Sequence, residues 1–187
     1  MNVYDFDHTI YEGDSSVDFF WYVLSKKPYL VVLLPFQITG LLQYRLGIVS
    51  KECMKERFFV FLRFIAVQEM VIHFWNRNRK KIKSWYLRRK QDTDVIISAS
   101  PEFILKPLVC DYLGVSLIAS KINPYTCKFI GKNCYGEEKA VRFRAVYPTA
   151  AVMEFYSDSY TDTPLANMAE QAFMVRKNTI TKWERGQ

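Results

Sequence analysis

The hydrophobic pattern of the chain falls into three stretches of different character. Val3, Tyr4 and Phe6 are strand formers, so the chain begins with a short buried β-strand. Gly13 then permits a turn, and Asp14 or Ser15 can cap a helix that starts near Val17. Residues 17 to 25 (VDFFWYVLS) are apolar almost all round except at Asp18. Lys26 and Lys27 end that segment, and Pro28 suits the first turn of the next helix. Residues 29 to 42 (YLVVLLPFQITGLL) form the most apolar window of the chain. A bilayer span needs about 20 apolar residues, and this run is shorter and contains Pro35, Gln37, Thr39 and Gly40. The default reading is a buried helix of a small helical domain. The alternative is a helix lying in a membrane interface, with Lys26, Lys27 and Arg45 reaching headgroups. Ser50 caps a third helix over Lys51 to Phe64. A fourth runs from about Val67 to Arg89, with Met70, Val71, Phe74 and Trp75 on one side. Residues 14 to 90 therefore read as an all-helical insert of about four helices.

From Asp92 onward the pattern changes to alternating strands and helices. Asp94 to Ile97 predicts a strand ending in Ser98-Ala99-Ser100-Pro101, with a helix from Pro101 through Tyr112 closed by Gly114. A strand over Val115 to Ala119 follows. Turn signals in residues 121 to 135 suggest a small hairpin. A helix starts at Gly136 and runs to about Val146, a strand covers Ala151 to Tyr156, and Pro164 opens another helix. Phe173 to Val175 is the fifth strand. This alternation means a parallel sheet with right-handed crossovers. The expected fold is α/β, a Rossmann-like three-layer parallel sheet with an inserted all-helical cap. Residues 1–13 and 91–187 form the core, and 14–90 the cap.

Candidate chemistry sits at strand ends. Asp5 and Asp7 share a face of the first strand at its carboxyl end, the edge where open α/β sheets bind ligands. Two converging carboxylates repel unless a cation lies between them or one holds a proton. Ser98 ends the second strand, Lys139 lies at a helix start, and Asp158 and Asp162 follow the fourth strand. Each alone is weak, but their order along one sheet edge is specific.

Together these residues resemble the haloacid dehalogenase superfamily of phosphotransferases over the whole chain. The first motif, D-x-D-x-T, is Asp5-Phe6-Asp7-His8-Thr9. The second is Ser98 in VIISAS, the third is Lys139 in GEEK with Lys121 as a rival, and the fourth is the pair Asp158 and Asp162. The helical insert resembles that superfamily's C1 cap. The resemblance implies Asp5 as nucleophile, forming an aspartyl phosphate, and Asp7 as the acid and base. It implies Mg²⁺ held by the Asp5 and Asp158 side chains and the Asp7 carbonyl, with Asp162 behind them. Lys139, Ser98, Thr9 and the backbone near Ala99 would hold the phosphoryl group. A second aspartate favours phosphomonoester hydrolysis over carbon–halogen cleavage. The cap, the CYGEEK run and Tyr156-Ser157-Asp158-Ser159 look most like the bacterial phosphatidylglycerophosphatase C group, and next like the phosphoserine phosphatases.

Composition refines the partners. Half of the 187 residues are hydrophobic, which excludes disorder. Cys53, Cys110, Cys127 and Cys134 show no C-x-x-C spacing, and no export signal precedes Asp5. The expectation is a cytoplasmic chain with reduced thiols, peripheral at most at a membrane. The net charge of +7 comes from residues 77–90, which hold eight Lys or Arg and no acid. That block is either a solvated helix end or a surface for anionic lipid, and no nucleic-acid partner is expected. The resemblance implies as substrate a phosphorylated lipid or a soluble metabolite such as phosphoserine or a sugar phosphate. A non-catalytic binding module is the third reading, and oligomeric state is not legible.

Overall fold

A computed structural model of the chain describes residues 1–184. Its sheet has six strands in the order β3-β2-β1-β4-β5-β6. These are β1 (Val3–Tyr4), β2 (Val95–Pro101), β3 (Ser116–Ser120), β4 (Val152–Ser157), β5 (Ala169–Arg176) and β6 (Thr179–Lys182). The first five run parallel, and β6 is antiparallel to β5. Although β1 has only two residues, both are fully buried, and it is the central strand. Val3 pairs with Val95 on one side and Phe155 on the other. Strand order reverses beside β1, so its carboxyl end and that of β4 form the crevice of the sheet.

The α/β core agrees with the sequence pattern, with shifted ends. β2 continues past Ser98 to Pro101, with an irregular register between them. The helix after it changes character: α6 (Glu102–Lys106) is followed by a wider turn over Pro107–Tyr112. Pro107 has no N–H to give the preceding turn, and Leu113 bonds back to Leu108 across five residues. The predicted hairpin appears as an antiparallel bridge between Ile122 and Phe129. Helix α7 (Glu137–Val146) follows, then α8 (Thr163–Ala166). β6 was not anticipated, because Ile180 is its one apolar side chain.

The insert contains α1 (Ser15–Lys26), α2 (Leu34–Arg45), α3 (Lys51–Phe58) and α4 (Val67–Asn78), with 3-10 segments at Pro28–Leu33 and Phe59–Phe64. Asp14 caps α1 by accepting from the Ser16 and Val17 amides. Phe19, Phe61 and Phe74 fill its interior, continuous through Trp75 of α4 with Phe6 and Tyr11 of the core. Trp75 also donates to the Ile104 carbonyl at 2.6 Å, tying α4 to α6.

Three expectations are corrected here. Helix α4 stops at Asn78 rather than running to Arg89. The chain must return beside the point where it left, so Ile82 bridges Tyr11 and the Lys83 amide bonds to the Ile10 carbonyl. A separate α5 (Ser84–Arg89) then places Trp85 and Tyr86 against Tyr4 and Tyr156 of the sheet. Residues 29–42 are not a buried helix. Only Leu30, Gln37 and Gly40 are buried there. α2 is apolar around its circumference, and α3 covers one side of it, where Gln37 donates to the Phe58 carbonyl and Gly40 admits Arg57. Half of the basic block is also engaged within the chain. Lys81 pairs with Asp18, Arg89 with Glu154 and Lys90 with Asp92, while the Lys83 ammonium is bonded by the His8 and Lys177 carbonyls.

Candidate active site

The ends of β1, β2 and β4, the start of α7 and the facing cap helices enclose a cavity of about 480 Å³. Asp5 continues the sheet for one residue, its amide donating to the Tyr156 carbonyl at 2.8 Å. Both its carboxylate oxygens are engaged: Lys139 Nζ donates to one at 2.6 Å and Thr9 Oγ1 to the other at 3.2 Å. Lys139 is presented by the first turn of α7, after Gly136 takes a left-handed conformation (φ 59°). Its ammonium also donates to Asp162 at 2.6 Å, and Ser157 Oγ reaches the same oxygen at 2.8 Å.

Asp7 lies beyond the strand and has a different set of partners. It accepts from the Ser15 amide at 2.7 Å and from Ser100 Oγ at 2.5 Å. The shared face predicted for Asp5 and Asp7 therefore divides into two settings. One is a lysine-bound carboxylate, the other a carboxyl held by a helix N-terminus and a hydroxyl.

Asp5, Asp7, Ser98, Ala99, Lys139, Asp158 and Asp162 all line the cavity. Ser98 is almost fully buried and its oxygen accepts from the Ser100 amide, leaving its own proton for a ligand. Thr9, expected to help hold the phosphoryl group, does not line the cavity. It is fully buried behind Asp5, so it positions that carboxylate instead of touching a phosphate. Lys121 is exposed and outside the cavity, so of the two rival lysines Lys139 is the one placed at the site.

The sequence matches the haloacid dehalogenase-like hydrolase family over residues 3–167. The chain belongs to that family. No curated protein matches it significantly. Among solved structures, a protein of unknown function from Bordetella pertussis Tohama I superposes with a TM-score of 0.73 at 20% identity, covering 92% of this chain and 87% of that one. A phosphoserine phosphohydrolase-like protein from Francisella tularensis subsp. tularensis SCHU S4 gives 0.51 at 17% identity, with 92% and 86% covered. A substrate-bound phosphoserine phosphatase gives 0.56 at 12% identity, with 91% and 82% covered. At these identities the likeness is one of fold.

The electrostatics of this hydrolase are unbalanced toward negative charge at the core side of the cavity. Burial alone would strip the proton from Lys139, but Asp5 and Asp162 more than reverse that and hold the ammonium protonated. Burial pushes the carboxyls of Asp5, Asp158 and Asp162 up, and Asp158 adds to the effect on Asp5. Asp7 is pushed up to about 7, by burial first and then by Asp14, against the hydrogen bonds from Ser100 and Ser15. Three carboxylates around one ammonium leave room for a further cation, and hard oxygen donors suit Mg²⁺. Among the described residues no group of three or more His, Cys, Asp or Glu side chains is placed to hold a metal ion by itself. Mg²⁺ does not require one, since it keeps several waters and uses one or two carboxylates. The residues present fit it.

Two features escaped the sequence. Ser100 lies two residues beyond Ser98 in the same strand, hence on its face, and its hydroxyl links Asp7 to Ser15 and Ser16. Lys55 reaches from α3 across the cavity, donating to the Ala99 carbonyl at 2.9 Å and to Asn133 at 3.2 Å. Burial and Lys51 push its ammonium down to about 8. Lys51, one turn earlier, lies over the Tyr135 ring at 3.2 Å. Their spacing put both on one helix face, which in sequence reads as solvated.

Proposed function

We propose that the protein is a Mg²⁺-dependent phosphomonoester hydrolase working through an aspartyl phosphate on Asp5. The observation that carries this reading is the division between Asp5, bound on both oxygens at the cavity floor, and Asp7, a separate carboxyl pushed up to about 7. An ionised Asp5 attacks phosphorus; the bond to the ester oxygen breaks, and that oxygen takes the proton of Asp7. The Asp7 carboxylate then removes a proton from water, the water oxygen attacks phosphorus, and Asp5 departs as carboxylate. Lys139 offsets charge on Asp5 and the transferring group, while the Ser98 hydroxyl and the Ala99 amide offer donors to its oxygens. Mg²⁺, held by the Asp5 and Asp158 carboxylates and the Asp7 carbonyl, would supply positive charge for the phosphoryl oxygens. Asp162, through Lys139, is a positioning residue.

The leaving group meets Phe20, Leu34, Ile38, Leu41 and Phe58 on the cap side, a wall that favours hydrocarbon. This supports a lipid phosphate such as phosphatidylglycerophosphate. Lys51 and Lys55 form no ion pair among the described residues, so they suit a second anion on the substrate. A phosphodiester in the lipid would satisfy them, and so would the carboxylate of phosphoserine, which keeps a soluble metabolite as the second reading. Release of phosphate from a chromogenic ester, with and without Mg²⁺, tests the reaction. Equal activity of Asp5→Asn and wild type would refute it. A panel of phosphatidylglycerophosphate, phosphoserine and sugar phosphates decides between the substrate classes.

A further inference from the structure

The cap carries an apolar surface whose charges all have one sign. From Phe19 to Lys51 the sequence holds no carboxylate. Within that stretch Val31, Val32, Phe36, Leu42, Leu46 and Ile48 are exposed, Val32 to 73% and Leu46 to 74%. Lys26 and Lys27 stand before these residues, with Arg45 among them and Lys51 after them. The cavity-lining residues Leu34, Ile38 and Leu41 belong to the same helix, so the apolar surface continues from solvent into the site.

We propose that this face of the cap, from Pro28 to Ile48, docks on the surface of an anionic lipid bilayer. A partner protein of fixed shape would read one stripe of α2, whereas this helix is apolar nearly all round and only one side is covered by α3. A fluid acyl boundary accepts such a helix, and cations at both ends of the segment meet the lipid phosphates. Among the described residues no single helix is long and apolar enough to cross a membrane, so the contact lies in the interface. The basic block of residues 77–90 is not the docking element, since half of its charges have partners within the chain and it lies apart from the exposed apolar residues in the sequence. The proposal deepens the reading of an ester with an apolar leaving group, because the face would deliver such a substrate to the cavity without its leaving the bilayer.

The test is flotation with vesicles of phosphatidylcholine alone and of phosphatidylcholine mixed with phosphatidylglycerol, alongside hydrolysis of a soluble chromogenic ester. The wild type should float with the mixed vesicles, far less with the neutral ones, and should be released in part by salt. Lys27→Gln and Arg45→Gln should each weaken binding about fivefold. Val32→Glu combined with Leu46→Glu should abolish flotation while leaving hydrolysis of the soluble ester unchanged. Absence of flotation by the wild type, or equal flotation by the double variant, overturns the proposal. So does a wild-type dimer in light scattering that the double variant splits while vesicles bind neither. Flotation without hydrolysis of any ester would instead sink the phosphatase reading and leave the docking intact.

Discussion

Replacing Lys139 by Met tests whether the buried ammonium holds the site together. Met nearly conserves the volume, so the cavity contribution is small and the electrostatic one dominates. Lys139 is 3% exposed, and its two ion-pair partners, Asp5 and Asp162, are also buried, so solvent screening gives little relief. Removing one partner of a buried pair typically costs about 3–5 kcal/mol. For a chain of this size each kcal/mol moves the midpoint by about 2–4 °C, so the expected drop is about 6–20 °C in metal-free buffer at neutral pH. The pH dependence identifies the cause. Burial raises the carboxyls of Asp5 and Asp162, and in the variant no ammonium opposes it. The folded state then binds more protons than the unfolded chain, so stability falls as pH rises above the ordinary carboxylate range near 4. The deficit relative to wild type should therefore be small in acid, grow toward neutrality, and shrink when Mg²⁺ is added. Differential scanning calorimetry across that range is the assay. A loss below about 2 kcal/mol, or one that does not change with pH, would refute the reasoning.

Asp5→Asn should lower phosphate release by about a thousandfold or more and leave no hydroxylamine-labile phosphate on the protein after acid quenching. Lys55→Met should raise KM for an anionic ester more than it lowers kcat. Because the Lys55 ammonium lies near 8, the wild-type KM should climb as pH rises through that value, and a variant with the same climb would exclude Lys55 from binding. Trp75→Ala should destabilise by about 3–5 kcal/mol in urea titration, through the cavity left and the Ile104 carbonyl stranded. Thiol titration should find Cys53 and Cys110 reactive in the native protein and Cys127 and Cys134 only after unfolding, with Cys134 held up near 11 by burial.

The positions of Asp5, Asp7, Ser98, Lys139, Asp158 and Asp162 were legible because strands and helix starts place their next residues at one edge, and periodicity marks those strands. What periodicity could not supply was contact between distant elements. Ser100 reads only as part of a strand end until its hydroxyl is found on Asp7, and Lys55 reads as solvated until α3 is seen to face the sheet. Thr9 fitted the motif but lies behind the carboxylate it was grouped with. Residues 29–42 were misread as core because apolarity implies burial only when another surface is available to cover it. The continuous fourth helix failed for a topological reason. An inserted domain must bring the chain back to its point of departure, and that demand breaks the helix at Arg79 to Lys83.

That return has a mechanical consequence. The outgoing and returning chains are pinned side by side: Glu12 donates to the Lys81 carbonyl, Lys83 to that of Ile10, and the Lys83 ammonium reaches His8. The outgoing strand of this stem is the same loop that carries Asp7 and Thr9. In the proposed mechanism a rocking of the helical insert on its stem would pull on Asp7 and on Thr9, the support of Asp5. Opening the insert to exchange ligands and withdrawing the proposed proton donor would then be a single movement, and a half-open site would also be an idle one.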